Sequence, residues 1–181
     1  MTRMSETPTT GATGEQIPFG LLWAIKRSFL GYVRRMPDGQ GSVHDGAVPF
    51  GEDTVLFTFD RVLPRPDDQP DQLSWAFRGD VRFKGHAGML FVRIAAPVLT
   101  VRGDRAELTI EDPYARPDAE RVPLVTLELN PGPGPAGAQV WLGGDVRLTE
   151  PGSVLFNDVY PPGEPFEQLS VIVPTTATAA D

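Results

Sequence analysis

The sequence predicts a mainly β chain: an antiparallel β-sandwich or barrel-like domain with one or two short helices. Three observations lead there. Apolar residues recur in short runs rich in β-branched and aromatic side chains, several with a period of two, as in a strand with one buried face. Glycine and proline, 19 of each in 181 residues, gather between those runs and read as turns. Only one stretch, near the start, has the length and periodicity of a longer helix.

The elements follow in order. Residues 1–16 are polar and read as a disordered tail. A helix is expected from Pro18 to Arg35. Pro18 suits its first turn, and Phe19, Leu22, Trp23, Phe29, Leu30 and Val33 supply its apolar face. Arg34 and Arg35 suit the negative end of its dipole, and Pro37-Asp38-Gly39 ends it. Ser28 and Tyr32 lie four apart and share one side.

Thr54 to Phe59 reads as a strand, and Asp60 to Gln72, with three prolines, as a flexible acidic loop. Leu73 to Phe83 alternates as one long half-buried strand. Met89–Ile94 and Pro97–Val101 follow, then a turn at Arg102-Gly103-Asp104 into Ala106–Ile110. Val122–Leu129 is a further strand. Pro131 to Pro135 is expected to be a loop outside any ladder. Gln139–Leu142, Asp145–Leu148 and Leu169–Val173 complete the set, and residues 174–181 read as a second tail. A single domain is therefore expected over 17–173.

Composition removes whole classes of function. A net charge of −8 disfavours nucleic acid as a partner, because phosphate contacts need clustered cations. The absence of cysteine excludes disulfides, thiolate metal sites and cysteine nucleophiles. Two histidines are too few for a multi-histidine metal centre. His44 reads as a solvated turn residue. Neither a secretory leader nor an apolar run long enough for membrane insertion is visible, so a cytoplasmic location is expected.

Three motifs stand out. Trp23, Lys26, Ser28, Phe29 and Tyr32 form a W..K.SF..Y run; Val81, Phe83, Gly85 and His86 form V.F.GH; and Leu148-Thr149, Gly152, Phe156, Tyr160, Gly163 and Leu169 form a third spaced set. Together and in this order they resemble the Htaa (haem-transport-associated) domain of bacterial haem-uptake proteins, over nearly all of 18–173. The resemblance implies ferric haem b as cofactor, Tyr32 as axial ligand to iron, and His86 hydrogen-bonded to the Tyr32 oxygen. It places Ser28 near a haem propionate.

That chemistry is reasonable. A phenolate is a hard anionic donor suited to ferric iron, and tyrosine is an established axial ligand. A free phenol titrates near pH 10, so ligation at neutral pH relies on the bound cation and on a hydrogen-bonding neighbour. Phe29, Leu30, Phe83, Met89 and Phe91 lie near the motifs and are candidates for an apolar pocket, with Arg27 or Lys84 facing a propionate. Members of the family are typically exported, often in several copies; this chain has one copy and no visible leader.

The expected function is a haem carrier, buffer or transfer module, exchanging haem with a donor or acceptor protein. Two alternatives stand beside it. One is a tyrosinate-ligated haem enzyme with catalase-like or peroxidase-like chemistry, needing an acid–base group such as His44 over the open face. The other is a protein-interaction module with a vestigial haem site, the 60–72 loop being its variable surface.

Overall fold

The computed structural model describes residues 16–114 and 120–178. Most of the tail expected at 1–16, and residues 179–181 of the second, lie outside the described residues. The chain folds as an antiparallel β-barrel with a side sheet. Its strands are β1 (Gly20–Trp23), β2 (Gln40–His44), β3 (Ala47–Phe50), β4 (Thr54–Val62), β5 (Gln72–Arg78), β6 (Asp80–Gly85), β7 (Leu90–Ala95), β8 (Val98–Arg102), β9 (Arg105–Ile110), β10 (Val122–Gly132), β11 (Ala138–Leu148) and β12 (Leu169–Pro174). Two short helices accompany them, α1 (Arg27–Arg35) and α2 (Glu150–Leu155).

Neighbouring strands run β1-β12-β11-β10-β9-β8-β5-β4, and β4 pairs back onto β1, so eight strands close a ring. β3 extends β4 outside the ring, and β2-β6-β7 form a separate three-stranded sheet. Closure removes the free edges that an open sheet would expose. The core fills the barrel interior and continues under α1 and the side sheet, through Phe29, Val33, Val81, Val92 and Ile94. In β12 the buried Leu169, Val171 and Val173 alternate with half-buried neighbours, the period-two pattern read from the sequence. Trp75, Leu99, Leu108, Ile110 and Leu124 are fully buried beside them.

Several expectations need correction. The helix begins at Arg27, not at Pro18: residues 20–23 form β1, in register with β12 on one side and β4 on the other. Leu21 and Trp23 are fully buried as alternate residues of a strand. A four-residue segment gains ladder bonds on both edges there, and this overrides its helical periodicity. Ile25, with φ 58°, then turns the chain into α1.

The long strand expected at 73–83 is two strands broken at Gly79. There φ is 150°, and a Cβ would lie 2.7 Å from Phe57 Cδ1 and 3.0 Å from the Ala47 Cβ. β5 stays in the barrel while β6 leaves for the side sheet. Conversely, the two strands expected at 139–148 are one continuous β11.

Pro131 and Gly132 belong to a ladder after all, opposite Trp141 and Val140. The reason is geometric. The Leu129 N–H points toward the β9 side, where it donates to the Asp104 carbonyl, and Pro131 faces the same way two residues on. β9 begins only at Arg105, so the proline nitrogen meets no strand needing a donor.

Asp60 to Val62 complete β4, and the following loop is tied down by Arg102, which donates to the side-chain oxygens of Gln69 and Gln72. Beyond β12, Thr175–Thr178 form a 3-10 turn. Ala177 is buried there and its carbonyl accepts from Trp75 Nε1 at 3.1 Å, so this part of the expected tail is packed. No helix among the described residues is long and apolar enough to cross a membrane.

Candidate functional site

Three stretches distant in sequence meet at one end of the side sheet and enclose a cavity of about 580 Å³. α1 contributes Phe29 and Tyr32, one turn apart on the same face. The turn between β6 and β7 contributes His86 and Met89, with Leu90 behind them. The chain following α2 contributes Phe156, Asn157, Val159 and Tyr160. The back wall is aromatic. Phe29 packs edge-on against Phe83 and against Phe156, each with ring centroids 5.1 Å apart, and Phe156 packs on Tyr160 at 5.9 Å.

Helix α2 sets the third wall. Thr149 caps it by accepting the Gly152 N–H at 2.9 Å, and Pro151 occupies its first turn. Asn157 and Asp158 then take φ of 56° and 57°, which reverses the chain toward Tyr160. Lys26 fastens this wall from behind. Its ammonium donates to the Pro165 carbonyl at 2.8 Å, pairs with Glu164 at 3.0 Å and lies 5.0 Å from the Tyr160 ring centroid. Trp23 Nε1 donates to the Glu167 carbonyl at 2.8 Å.

At the mouth the Tyr32 hydroxyl is in hydrogen-bond contact with His86 Nε2, although 54 residues separate them. Tyr32 is 43% exposed and lines the cavity. The turn that delivers His86 is unusual backbone: φ is 50° at His86, 53° at Ala87 and 91° at Gly88. Two devices hold it. Gly85 lets Met36, at the end of α1, pack directly on the strand; a Cβ at 85 would fall 2.1 Å from Met36 Sδ. Asp38, just beyond α1, accepts the His86 N–H at 3.1 Å and the Ala87 N–H at 2.7 Å. The Ala87 N–H, with the His86 N–H behind it, keeps the Asp38 carboxyl below the usual carboxylate range despite some desolvation.

Of the residues singled out from the sequence, Tyr32, His86, Phe29 and Met89 stand together on the cavity, Met89 being 81% exposed at its rim. Ser28 is exposed one turn before Tyr32 and does not line the wall. Phe83 is buried under Phe29, one layer behind the wall. Leu30 is buried on the opposite flank, beside β2 and β6. Phe91 packs on Tyr114. Arg27 is occupied with Glu167 and Asp53, while Lys84 is exposed on β6. His44 ends β2, exposed, in contact with the Ser42 hydroxyl at 3.0 Å, and is not among the lining residues.

Sequence reasoning underrated the third wall. Phe156 and Tyr160 stood in the third motif with no site role assigned, yet they face the cavity. Asp38 read only as part of a helix stop, since no spacing signal joins it to a turn 48 residues later.

Comparison with known proteins agrees with this architecture. The C-terminal domain of HtaA from Corynebacterium glutamicum superimposes with a TM-score of 0.67 at 23% identity, covering 85% of this chain and 94% of that one. The N-terminal domain of the same protein gives 0.65 at 21% identity, covering 86% and 96%. The haem-binding protein HtaB from the same organism gives 0.61 at 17%, covering 84% and 90%. At these identities each likeness is one of fold. No curated protein matches the sequence. The family profile described as Htaa matches residues 19–172, which span the barrel, the side sheet and all three walls of the cavity, and the chain is therefore a member of the Htaa family.

Proposed function

We propose that the cavity binds ferric haem b and that the protein carries or transfers it. The observation that carries this reading is the Tyr32–His86 contact at the mouth of an aromatic cavity. The residues present fit the group. The volume lies within the roughly 300–1,000 Å³ of small-molecule sites, and the walls are apolar rings of the kind a porphyrin stacks on. Among the described residues no three or more His, Asp or Glu converge on a bare-ion site. A single phenol oxygen suits a metal whose other positions are already filled by a macrocycle. With no cysteine for thioether attachment, the haem would be held non-covalently.

The chain's own residues have separate tasks in this reading. Tyr32 supplies the anionic oxygen. His86 holds that oxygen in place: its Nε2 accepts from the neutral phenol and, once protonated, donates to the phenolate. Phe29, Phe156 and Tyr160 exclude water from one side of the ligand. When bound, the ferric centre supplies the positive charge that favours the deprotonated ligand. An external one-electron reductant that brought such an iron to the ferrous state would weaken the hold of Tyr32, a hard anionic donor. HtaB is a haem-binding protein of the same fold.

Carriage is favoured over catalysis by the lining. Besides Tyr32 and His86, the polar lining residues are Asn157 and Tyr160, and none is a second histidine, carboxylate or arginine fit for peroxide chemistry. The exposed Met89 and Val159 at the rim leave room for a donor or acceptor protein to approach.

An absorption titration with haemin tests the proposal. Saturable uptake with a ferric tyrosinate spectrum is expected for the unaltered protein, and its loss in Tyr32→Phe. No saturable uptake, or a spectrum unchanged in Tyr32→Phe, would overturn it.

A further inference from the structure

We propose that Asp38 is the positioning residue of this site: by accepting two consecutive N–H groups of the β6–β7 turn, it sets His86 on the Tyr32 oxygen. The inference rests on the haem reading above for its functional meaning, but its geometry stands in the protein alone.

The argument begins with backbone. Left-handed φ at His86 and Ala87 is disfavoured for residues bearing a Cβ, and two in succession need outside support. The adjoining β6–β7 ladder supplies none of it beyond Gly85↔Leu90. Within the turn the Met89 N–H donates to the His86 carbonyl at 3.1 Å, and Met36 packs on Gly85; the polar support from outside is Asp38, whose two carboxylate oxygens each take one N–H, Oδ1 from His86 and Oδ2 from Ala87. Charge-assisted bonds of this kind are stronger than neutral ones and fix direction as well as distance.

The second step is connectivity. Tyr32 lies in the last turn of α1 and Asp38 two residues past its C-cap: Met36 closes α1, its N–H bonding the Val33 carbonyl, and Gly39 N–H returns to the Met36 carbonyl. The ligand residue and the carboxylate therefore move as one piece. Any displacement of α1 carries the phenol and the anchor of its partner together, so the Tyr32–His86 contact survives small motions of the helix. An isolated histidine on a free turn would lose that contact whenever either side shifted. Asp38 touches neither Tyr32 nor the cavity; its action is through His86.

Asp38→Ala, Asp38→Asn, His86→Ala and the double variant Asp38→Ala/His86→Ala distinguish this from a merely structural role. The unloaded proteins are compared by ¹⁵N spectra and amide exchange, and the loaded ones by haemin dissociation and absorption. In Asp38→Ala, faster exchange is expected at the 86 and 87 amides alone. The His86 ring-nitrogen signal should move to that of a freely solvated imidazole. Haemin should leave about tenfold faster, in line with the effect of losing an outer-shell partner. The double variant should be no worse than His86→Ala, because the two substitutions remove one interaction. Asp38→Asn keeps one carbonyl oxygen and should fall between; it decides the matter if the alanine variant does not fold.

Additive losses in the double variant, or an unchanged ring signal in Asp38→Ala, would overturn the proposal. If the unaltered protein takes up no haemin, the haem reading fails. The ring-nitrogen signal of the unloaded protein still decides the role of Asp38.

Discussion

Tyr32 and His86 meet because two neighbours of no evident chemistry permit it. Asp38 is one, and Gly85 is the other. A methyl group at 85 would fall 2.1 Å from Met36 Sδ, so the buried Met36 side chain would have to leave its place under α1. Gly85→Ala is expected to destabilise the fold by about 1–2 kcal/mol through overpacking. It should also weaken haemin retention, because the end of α1 would be pushed from the turn carrying His86. Thermal unfolding together with haemin dissociation checks both; a variant as stable and as retentive as the parent would refute the packing argument. The pair itself was legible in the sequence, through motifs that resemble a known family. Its supports were not: Asp38 and Met36 act across a gap that no local periodicity crosses.

At the scale of elements, legibility depended on which force fixes a segment. β7, β8, β9 and β12 are ordinary half-buried or core strands, and their alternation marks them in the sequence. β1 was misread because its helical periodicity is real, and only distant partners on both edges outweigh it. The connection from β2 to β3 carries an Asp45-Gly46 turn signal, but the two strands, which pair in different sheets, are largely exposed and lack an apolar pattern. The break at Gly79 is invisible to periodicity, because alternation continues through a residue that changes sheets. Gly79→Ala tests that reading. Its φ of 150° is close to glycine-only, and a Cβ would crowd Phe57 and Ala47, so a loss of about 2–3 kcal/mol is expected. Urea unfolding measures it, and an effect below about 0.5 kcal/mol, the level of ordinary surface substitutions, would contradict the assignment.

In the whole molecule, barrel and side sheet share one apolar core, and a buried carboxylate sits on the side sheet where the two meet. Asp80, only 2% exposed, begins β6 and accepts from Arg82 and Arg93, and Arg93 reaches on to Glu111 just past β9. Burial alone would raise the Asp80 carboxyl; hydrogen bonds from the two guanidinium groups outweigh it and hold the carboxyl below its usual range. A depressed carboxylate stabilises the fold above its unfolded pKa, near 3.9, and that contribution disappears as pH falls through the lower folded value. Asp80→Asn should therefore cost about 2–3 kcal/mol at pH 7, less than a fully buried pair because both arginines keep contact with solvent. The difference from the parent should shrink as the pH is taken well below 4. Urea titrations at neutral and acid pH measure both, and a gap independent of pH would show that the charge of Asp80 on its two arginines is not what stabilises the fold here.

The insertion of β1 has a consequence for timing during synthesis. Residue 20 finds residue 172 across the barrel seam, and Ala24 to Lys26 alone separate that seam from the helix bearing Tyr32. A ribosome must therefore release nearly the whole described chain before the first strand has both neighbours, and the wall from 156 to 160 emerges almost as late. Contacts this far apart in sequence form slowly. A half-made chain thus has no such cavity, and on the haem reading proposed above an iron porphyrin would be met only by finished molecules.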